Sequence, residues 1–265
     1  MIQGCFRHIH GIGPKTASRL NDLGFLAWED CFSRESSIPF NGKKRKKFLE
    51  EIRRSIESYD SRDIGYFTES FPTSEQWRIL GEYLPGATFI DVETTGLSWN
   101  YCHASVIAAY HRGELHAFVY GENLDDFLYL ADESELLVTY NGTSFDIPFI
   151  EKTFNIPSLN RPHVDLRWIA WHKGYHGGLK SIERRLGIQR PPQVEGIDGF
   201  EAVDLYYRWQ QGDPLSRDLL VSYCEADVLS TYLVAERILI ESGCTVNQID
   251  LDKAFSLIEC PGVII

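Results

Sequence analysis

The chain has 265 residues, 43% hydrophobic and 24% charged, with a formal net charge of −12. That apolar content excludes disorder, no run of about 18 apolar residues is present to span a membrane, and the acidity argues at first against nucleic acid, whose phosphates repel a negative protein. Cys5, Cys31, Cys102, Cys224, Cys244 and Cys260 are scattered without a CxxC pair. With no signal-peptide core in the opening MIQGCFRHIHGIG, this fits a reduced, cytoplasmic chain rather than a disulfide or zinc framework.

The charge is uneven. Residues 1–60 carry 11 Lys+Arg and 8 Asp+Glu, net +3, while residues 61–265 carry 15 and 30, net −15. A basic front and an acidic body predict two units with different tasks.

In chain order, HGIGPKTASRLNDLGF predicts a Gly-Ile-Gly turn and then a helix from about Pro14, since proline suits a helix start. Ala17 and Leu20 supply its inward face, and Gly24 ends it. Two more helical stretches follow, AWEDCFS and GKKRKKFLEEIRRSIESY, so residues 1–60 read as a small helical unit. Residues 61–85 read as a linker. From Pro85 the pattern changes to three strand-like runs, ATFIDVETT, ASVIAAYH and ELHAFVYG, with the short gaps of an antiparallel meander. A helix at NLDDFLYLA, a strand at ELLVTYN, a helix at SFDIPFIEKTF and a short strand at HVDL come next. Helices are expected over 166–173, 178–187, 200–211 and about 214–242. Together these predict an α/β domain over 86–242, a mixed five-stranded sheet flanked by helices. For the tail, 243–265, an edge strand and a loose end are both open.

The stretch TFIDVETTGLS places two carboxylates, Asp91 and Glu93, inside an apolar strand. Positions i and i+2 share a face, so the two negative charges point the same way. Asp146, in YNGTSFD, starts the helix that follows the fourth strand. Asp227, in SYCEADVLS, lies in the last long helix, and Tyr223 four residues earlier shares its face. Taken singly, Asp91 and Glu93 could face water, Asp146 could serve only the helix dipole, and Tyr223 could be a core residue. Taken together, four acids at the ends of elements that converge repel one another unless cations neutralise them. A donor set of oxygens alone, without His or Cys, selects hard ions such as Mg²⁺ or Mn²⁺. Two such ions support phosphoryl transfer.

FIDVETTGL, YNGTSFDIPFI and YCEADV resemble the three motifs of DnaQ-like DEDD 3′–5′ exonucleases, which have a ribonuclease H-like fold. The tyrosine four residues before the last Asp resembles the DEDDy branch; the DEDDh branch would need His where Ser222 stands. GGLKSIERRLGIQR and YCEADVLSTY are similar to the YprB-type nucleases, and the resemblance covers about 86–240. It implies that Asp91, Glu93, Asp146 and Asp227 hold two divalent cations, Mg²⁺ or Mn²⁺, and that Tyr223 orients or helps deprotonate the attacking water. It also implies that Asn141 and Phe145 line a substrate channel and that backbone at Thr94 and Gly96 approaches a terminal nucleotide. Asp165, in HVDL, stands where related nucleases also carry an Asp, and a supporting role is expected of it.

At the N-terminus, HIHGIGPKTASRL resembles a helix-hairpin-helix motif. Gly11 and Gly13 would permit a tight hairpin whose N–H groups face a phosphate, Lys15 would add a charge, and the run Lys43 to Lys47 would supply a second contact. The expected partner is nucleic acid, single-stranded DNA favoured and RNA possible, with no membrane. The expected activity is a metal-dependent 3′–5′ exonuclease. An RNA-directed exonuclease, a structure-specific endonuclease and a catalytically weak nucleic-acid-binding adaptor are the alternatives.

Overall fold

The structure is a computed structural model that describes residues 2–98, 100–246 and 251–258. The chain divides into two compact units, Met1–Leu84 and Pro85–Ile265.

The first unit is helical: α1 (Pro14–Asp22), α2 (Asp30–Ser33), α3 (Gly42–Asp60), α4 (Ile64–Ser70) and α5 (Trp77–Tyr83). As expected, α1 starts at Pro14, buries Ala17 and Leu20, and gives way to Gly24 in the left-handed region at φ +81°. The core is aromatic. Trp28, Phe6, Phe25 and Phe67 are fully buried, and the Trp28 indole donates to the Cys5 carbonyl at 2.8 Å. The stretch expected as a linker, 61–85, instead forms α4 and α5, whose Ile64, Phe67, Ile79 and Leu80 are buried. Asp63 caps α4 by accepting from the Tyr66 N–H. The two helices have seven residues each, with Pro72 between them. Neither is long enough for its apolar period to stand out.

The second unit is built on a five-stranded mixed sheet, β1 (Ala87–Thr94), β2 (Ala104–His111), β3 (Glu114–Val119), β4 (Leu136–Thr139) and β5 (His163–Asp165). The order is β3-β2-β1-β4-β5, antiparallel from β1 through β3 and parallel from β1 through β5. β1 is therefore central, and residues 87–90 are all buried, as a strand covered on both faces requires. The parallel pairs require crossovers, supplied by α6 (Phe127–Glu133) before β4 and α7 (Asp146–Thr153) before β5. Beyond them come α8 (Leu166–His172), α9 (Leu179–Leu186), α10 (Gly199–Gln210) and α11 (Pro214–Glu241). α11 packs on β1 and β2. It begins at Pro214 with the Asp213 carboxylate accepting from the Leu215 N–H, a well-formed N-cap.

Within the tail expected over 243–265, a short helix α12 (Leu251–Phe255) stands where an edge strand was one alternative. Residues 247–250 and 259–265 lie outside the described residues. Among the described residues, no helix is long and apolar enough to cross a membrane.

Candidate active site

β1 carries Asp91 and Glu93, paired across to Ala108 and Val106 of β2. The register shifts between Glu93 and Thr94, and such a bulge re-aims the strand end. α11 brings Tyr223, Cys224 and Asp227 against this end of the strand. The Cys224 thiol lies 3.4 Å from the Asp91 carbonyl and 3.5 Å from its Oδ2. One carboxylate oxygen from each of Asp91, Glu93 and Asp227 falls within 4.8 Å of the others. Glu93 and Asp227 are buried, and Asp91 is partly accessible.

Asp146, also buried, lies outside that tight trio but close enough to act on it. Burial pushes the Asp91 and Glu93 carboxyls well above the usual range, and repulsion from Asp227 and Asp146 pushes them further. Burial likewise raises Asp146 to about 7, against the pull of N–H groups of its own backbone and of Val92. The Val92 contact sets the Asp146 carboxyl beside the strand between Asp91 and Glu93.

The loop that delivers Asp146 is organised by Asp165. Its Oδ1 accepts from the Asn141 N–H at 2.8 Å and the Arg167 N–H at 3.1 Å, and its Oδ2 accepts from the Thr143 N–H at 3.2 Å. Asn141 adopts φ +72°, a left-handed conformation that Asn tolerates. At Gly142 an added Cβ would meet Thr139 Oγ1 at 2.3 Å, so only glycine fits there. The Asn-Gly pair is thus the shape of the turn, and Asp165 is the bracket that holds it.

Two basic side chains escaped the sequence reading. Lys180 of α9 donates to the Tyr223 hydroxyl at 3.0 Å and to the Ile197 carbonyl. Arg190, on the segment after α9, bonds both Glu183 and Asp227. Both belong to GGLKSIERRLGIQR, but nothing local signals that residues 43 and 37 positions before their partners would meet them. Burial and the surrounding carboxylates hold the Tyr223 phenol far above its ordinary range, so in this state it is a neutral hydroxyl.

The remaining expected residues divide. Thr94 is buried, its hydroxyl donating to the Gly96 carbonyl at 2.8 Å, and a Cβ on Gly96 would meet Cys102 Sγ at 2.8 Å. Phe145 is half-buried, 4.7 Å from the Phe149 ring. Asn141 Oδ1 accepts from the Arg167 guanidinium. In the first unit, Gly11 adopts φ +79° and Gly13 sits at the N-cap of α1 without a side-chain cap. The Ile9–Ile12 turn and Lys43, Lys44 and Lys47 of α3 border one cavity of about 350 Å³. Lys15 is exposed, and neither it nor Gly13 lines that cavity.

The donor set suits a hard divalent cation. It is all carboxylate oxygen, gathered within the span of an ion's coordination sphere, and its buried charges resist coexisting without a cation. Asp91, Glu93 and Asp227 would hold such an ion directly, with Asp146 beside them.

The family model of the RNase H superfamily named RNase_H_2 matches residues 88–239. No curated protein matches the chain. Among solved structures, the family B DNA polymerase from the hyperthermophilic archaeon Pyrobaculum calidifontis is similar at 18% identity and TM-score 0.48, over 64% of this chain and 27% of the polymerase. The chain thus spans about a quarter of that relative's length. A structure described as the apo form of a nuclease is similar at 21% identity and TM-score 0.41, over 68% of this chain and 84% of that one. The Aedes aegypti Nibbler EXO domain is similar at 16% identity and TM-score 0.36, over 70% and 92%. The family model covers more than half of the chain and contains all four carboxylates: the chain belongs to the RNase H superfamily.

Proposed function

We propose that the chain is a divalent-metal-dependent 3′–5′ exonuclease of the DEDDy type that hydrolyses phosphodiester bonds at the ends of single-stranded DNA. The observation that carries this reading is the convergence of Asp91, Glu93 and Asp227 within 4.8 Å, with Asp146 raising their charge density. Two divalent ions held there would supply Lewis acidity to the attacked phosphate and neutralise charge on the leaving oxygen. The chain's own part is positional. Asp165 fixes the Asn141–Phe145 turn and so the approach of Asp146. Lys180 donates to the Tyr223 oxygen, which leaves the phenol proton free to be donated to a water or a phosphate oxygen. Tyr223 then orients the attacking water rather than removing its proton. Cys224 sets its thiol against Asp91, and Thr94 and Gly96 form the narrow backbone edge where a terminal nucleotide would lie.

The first unit is proposed as a helix-hairpin-helix-like element that grips the sugar–phosphate backbone. The cavity shared by the Gly11 turn and three lysines supports this. Such contacts add affinity without base preference.

Digestion of one sequence as DNA and as RNA, labelled at either end, tests the reading. With Mn²⁺ a 5′ label is expected to give a descending ladder and a 3′ label an immediate mononucleotide, with DNA cut faster. Internal fragments would instead identify an endonuclease, faster cleavage of RNA an RNA-directed enzyme, and no cleavage with either metal an adaptor.

A further inference from the structure

Arg190, the last residue of GGLKSIERRLGIQR, is a deeply buried cation of the second unit. Its side chain is 5% exposed. Nε donates to the two oxygens of Glu183 at 3.0 and 3.2 Å, and Nη2 to Glu183 Oε1 at 2.5 Å. The same Nη2 donates to Asp227 Oδ1. Nη1 is buried without a partner among the described residues. Burying a guanidinium is costly unless its partners offset it, and an orphaned N–H adds to the cost. A packing role alone would be served better by an apolar side chain. What the guanidinium does is tie α9 to α11 through two carboxylates.

Two accounts of that tie differ in sign. A guanidinium that merely offsets repulsion in a cation-free site competes with any incoming cation, so its removal strengthens cation binding. A guanidinium that fixes a ligand's orientation supports cation binding, so its removal weakens it. Three features favour the second account. Three hydrogen bonds run to Glu183 against one to Asp227, and Glu183 is buried. Arg190 therefore cannot swing away without stranding a buried carboxylate. Glu183 also cancels the charge of Arg190, so the pair presents little net repulsion to a cation. Finally, the bond to Asp227 uses Oδ1 and leaves Oδ2 without it.

We propose that Arg190, seated on Glu183, is a positioning residue that holds the Asp227 carboxylate in the orientation in which it joins Asp91 and Glu93 as a one-oxygen ligand to a divalent cation. The proposal rests on reading that trio as a metal site. Calorimetric titration of the full chain with Mn²⁺ tests it. Arg190→Gln is expected to weaken Mn²⁺ binding about tenfold or more, the usual effect of losing an outer partner of a ligand, although it removes a positive charge. Arg190→Lys restores the charge but not the planar fork and is expected to recover only part of the affinity. In an Asp227→Asn background, Arg190→Gln is expected to change nothing further. Equal or tighter Mn²⁺ binding by Arg190→Gln overturns the proposal, as does a full additional loss on top of Asp227→Asn, which a general structural role would produce. If Arg190→Gln does not fold, Arg190→Met decides: an apolar side chain of similar length fills the buried volume and is expected to weaken binding in the same direction, whereas equal or tighter binding overturns the proposal. A wild-type chain that binds no Mn²⁺ overturns the metal-site reading itself, so the two failures are distinguishable.

Discussion

The two units bury different things. Among the described residues, every buried Asp and Glu lies in the second unit, and the buried polar residues of the first are His8, Ser55 and Ser58. His8 stacks on Phe71 at 4.7 Å and pairs with Ser55 Oγ at 2.7 Å, and burial pushes its imidazole down to about 4, so it is neutral. The first unit's basic run stays outside, as in the exposed pair Lys46–Glu50. The second unit instead gathers carboxylates around the end of its central strand. Exposed charge costs little and is screened by salt. Buried like charge costs stability, and a chain that keeps it does so for what the charges hold. The contrast fits the proposal that the chemistry belongs to the second unit and long-range attraction to the first.

The largest expected effect follows from removing a ligand. Asp91→Ala or Asp227→Ala is expected to lower turnover about a thousandfold, roughly 4 kcal/mol of barrier; metal-free Asp91→Ala is expected to fold at least as well because repulsion is relieved, whereas Asp227→Ala also strips the buried Arg190 of one partner. EDTA is expected to abolish activity and Mn²⁺ to restore it. Single-turnover digestion of a short oligonucleotide measures both, and wild-type rates in either variant would erase the distinction between the units.

Much of this was legible in the sequence. The alternation that sets Asp91 and Glu93 on one face of an apolar strand survives in β1, and the i, i+4 spacing of Tyr223 and Asp227 survives in α11. Both are local regularities, which periodicity reports well. What stayed hidden was tertiary. Arg190 meets Asp227 across 37 residues and Lys180 meets Tyr223 across 43, and no local pattern encodes such pairings. A supporting role for Asp165 is expected from the sequence, but its grip on the Asn141 and Thr143 N–H groups depends on β5 lying beside β4. The fold of 61–85 is hard to read because α4 and α5 have seven residues each, too few for an apolar period to stand out.

Asp165→Asn sharpens the contrast at one remove from the ligands. Losing the charge that brackets the Asn141–Phe145 turn is expected to lower turnover by about ten- to a hundredfold, with KM on short substrates little changed. An unaltered kcat would mean that the turn holds its shape without the carboxylate.

Two buried groups, one in each unit, should also respond to pH with opposite sign. Asp146 is raised from 3.8 to about 7, so the folded second unit retains a proton that the unfolded chain has released. Its contribution is fully present below about pH 4 and is lost as pH rises toward 7, at up to about 1.4 kcal/mol per unit. His8 is lowered from 6.5 to about 4, so the first unit's contribution is present above about 6.5 and is lost as pH falls toward 4. In the second unit Asp91 and Glu93 act in the same direction as Asp146, while His163, pushed down to about 4 by burial, acts as His8 does and opposes them. Hydrogen exchange of the metal-free protein, read by mass spectrometry at pH 5 and 7.5, is expected to show the first unit opening more readily at the lower pH. Asp146→Asn is expected to shift the second unit toward greater protection at the higher pH relative to the lower and to leave the first unit untouched. An unchanged second unit in that variant would contradict the burial argument.

The smallest effect belongs to the basic run. Changing Lys43, Lys44, Lys46 and Lys47 to Glu is expected to weaken binding of long strands about tenfold at low salt, to flatten the salt dependence, and to do so equally across sequences. Cleavage of a dinucleotide is expected to be unchanged. Fluorescence anisotropy across a salt series checks this, and a sequence-dependent loss would show that the lysines do more than attract phosphate.

If the clustered carboxylates hold divalent cations, the ions belong among Asp91, Glu93 and Asp227. Crystals of the protein grown with Mn²⁺ and measured at the manganese absorption edge are expected to show anomalous density between these side chains, lost in Asp91→Asn crystals grown the same way. Wild-type crystals with no manganese among these side chains, and the carboxylates still together, would contradict the metal-site reading.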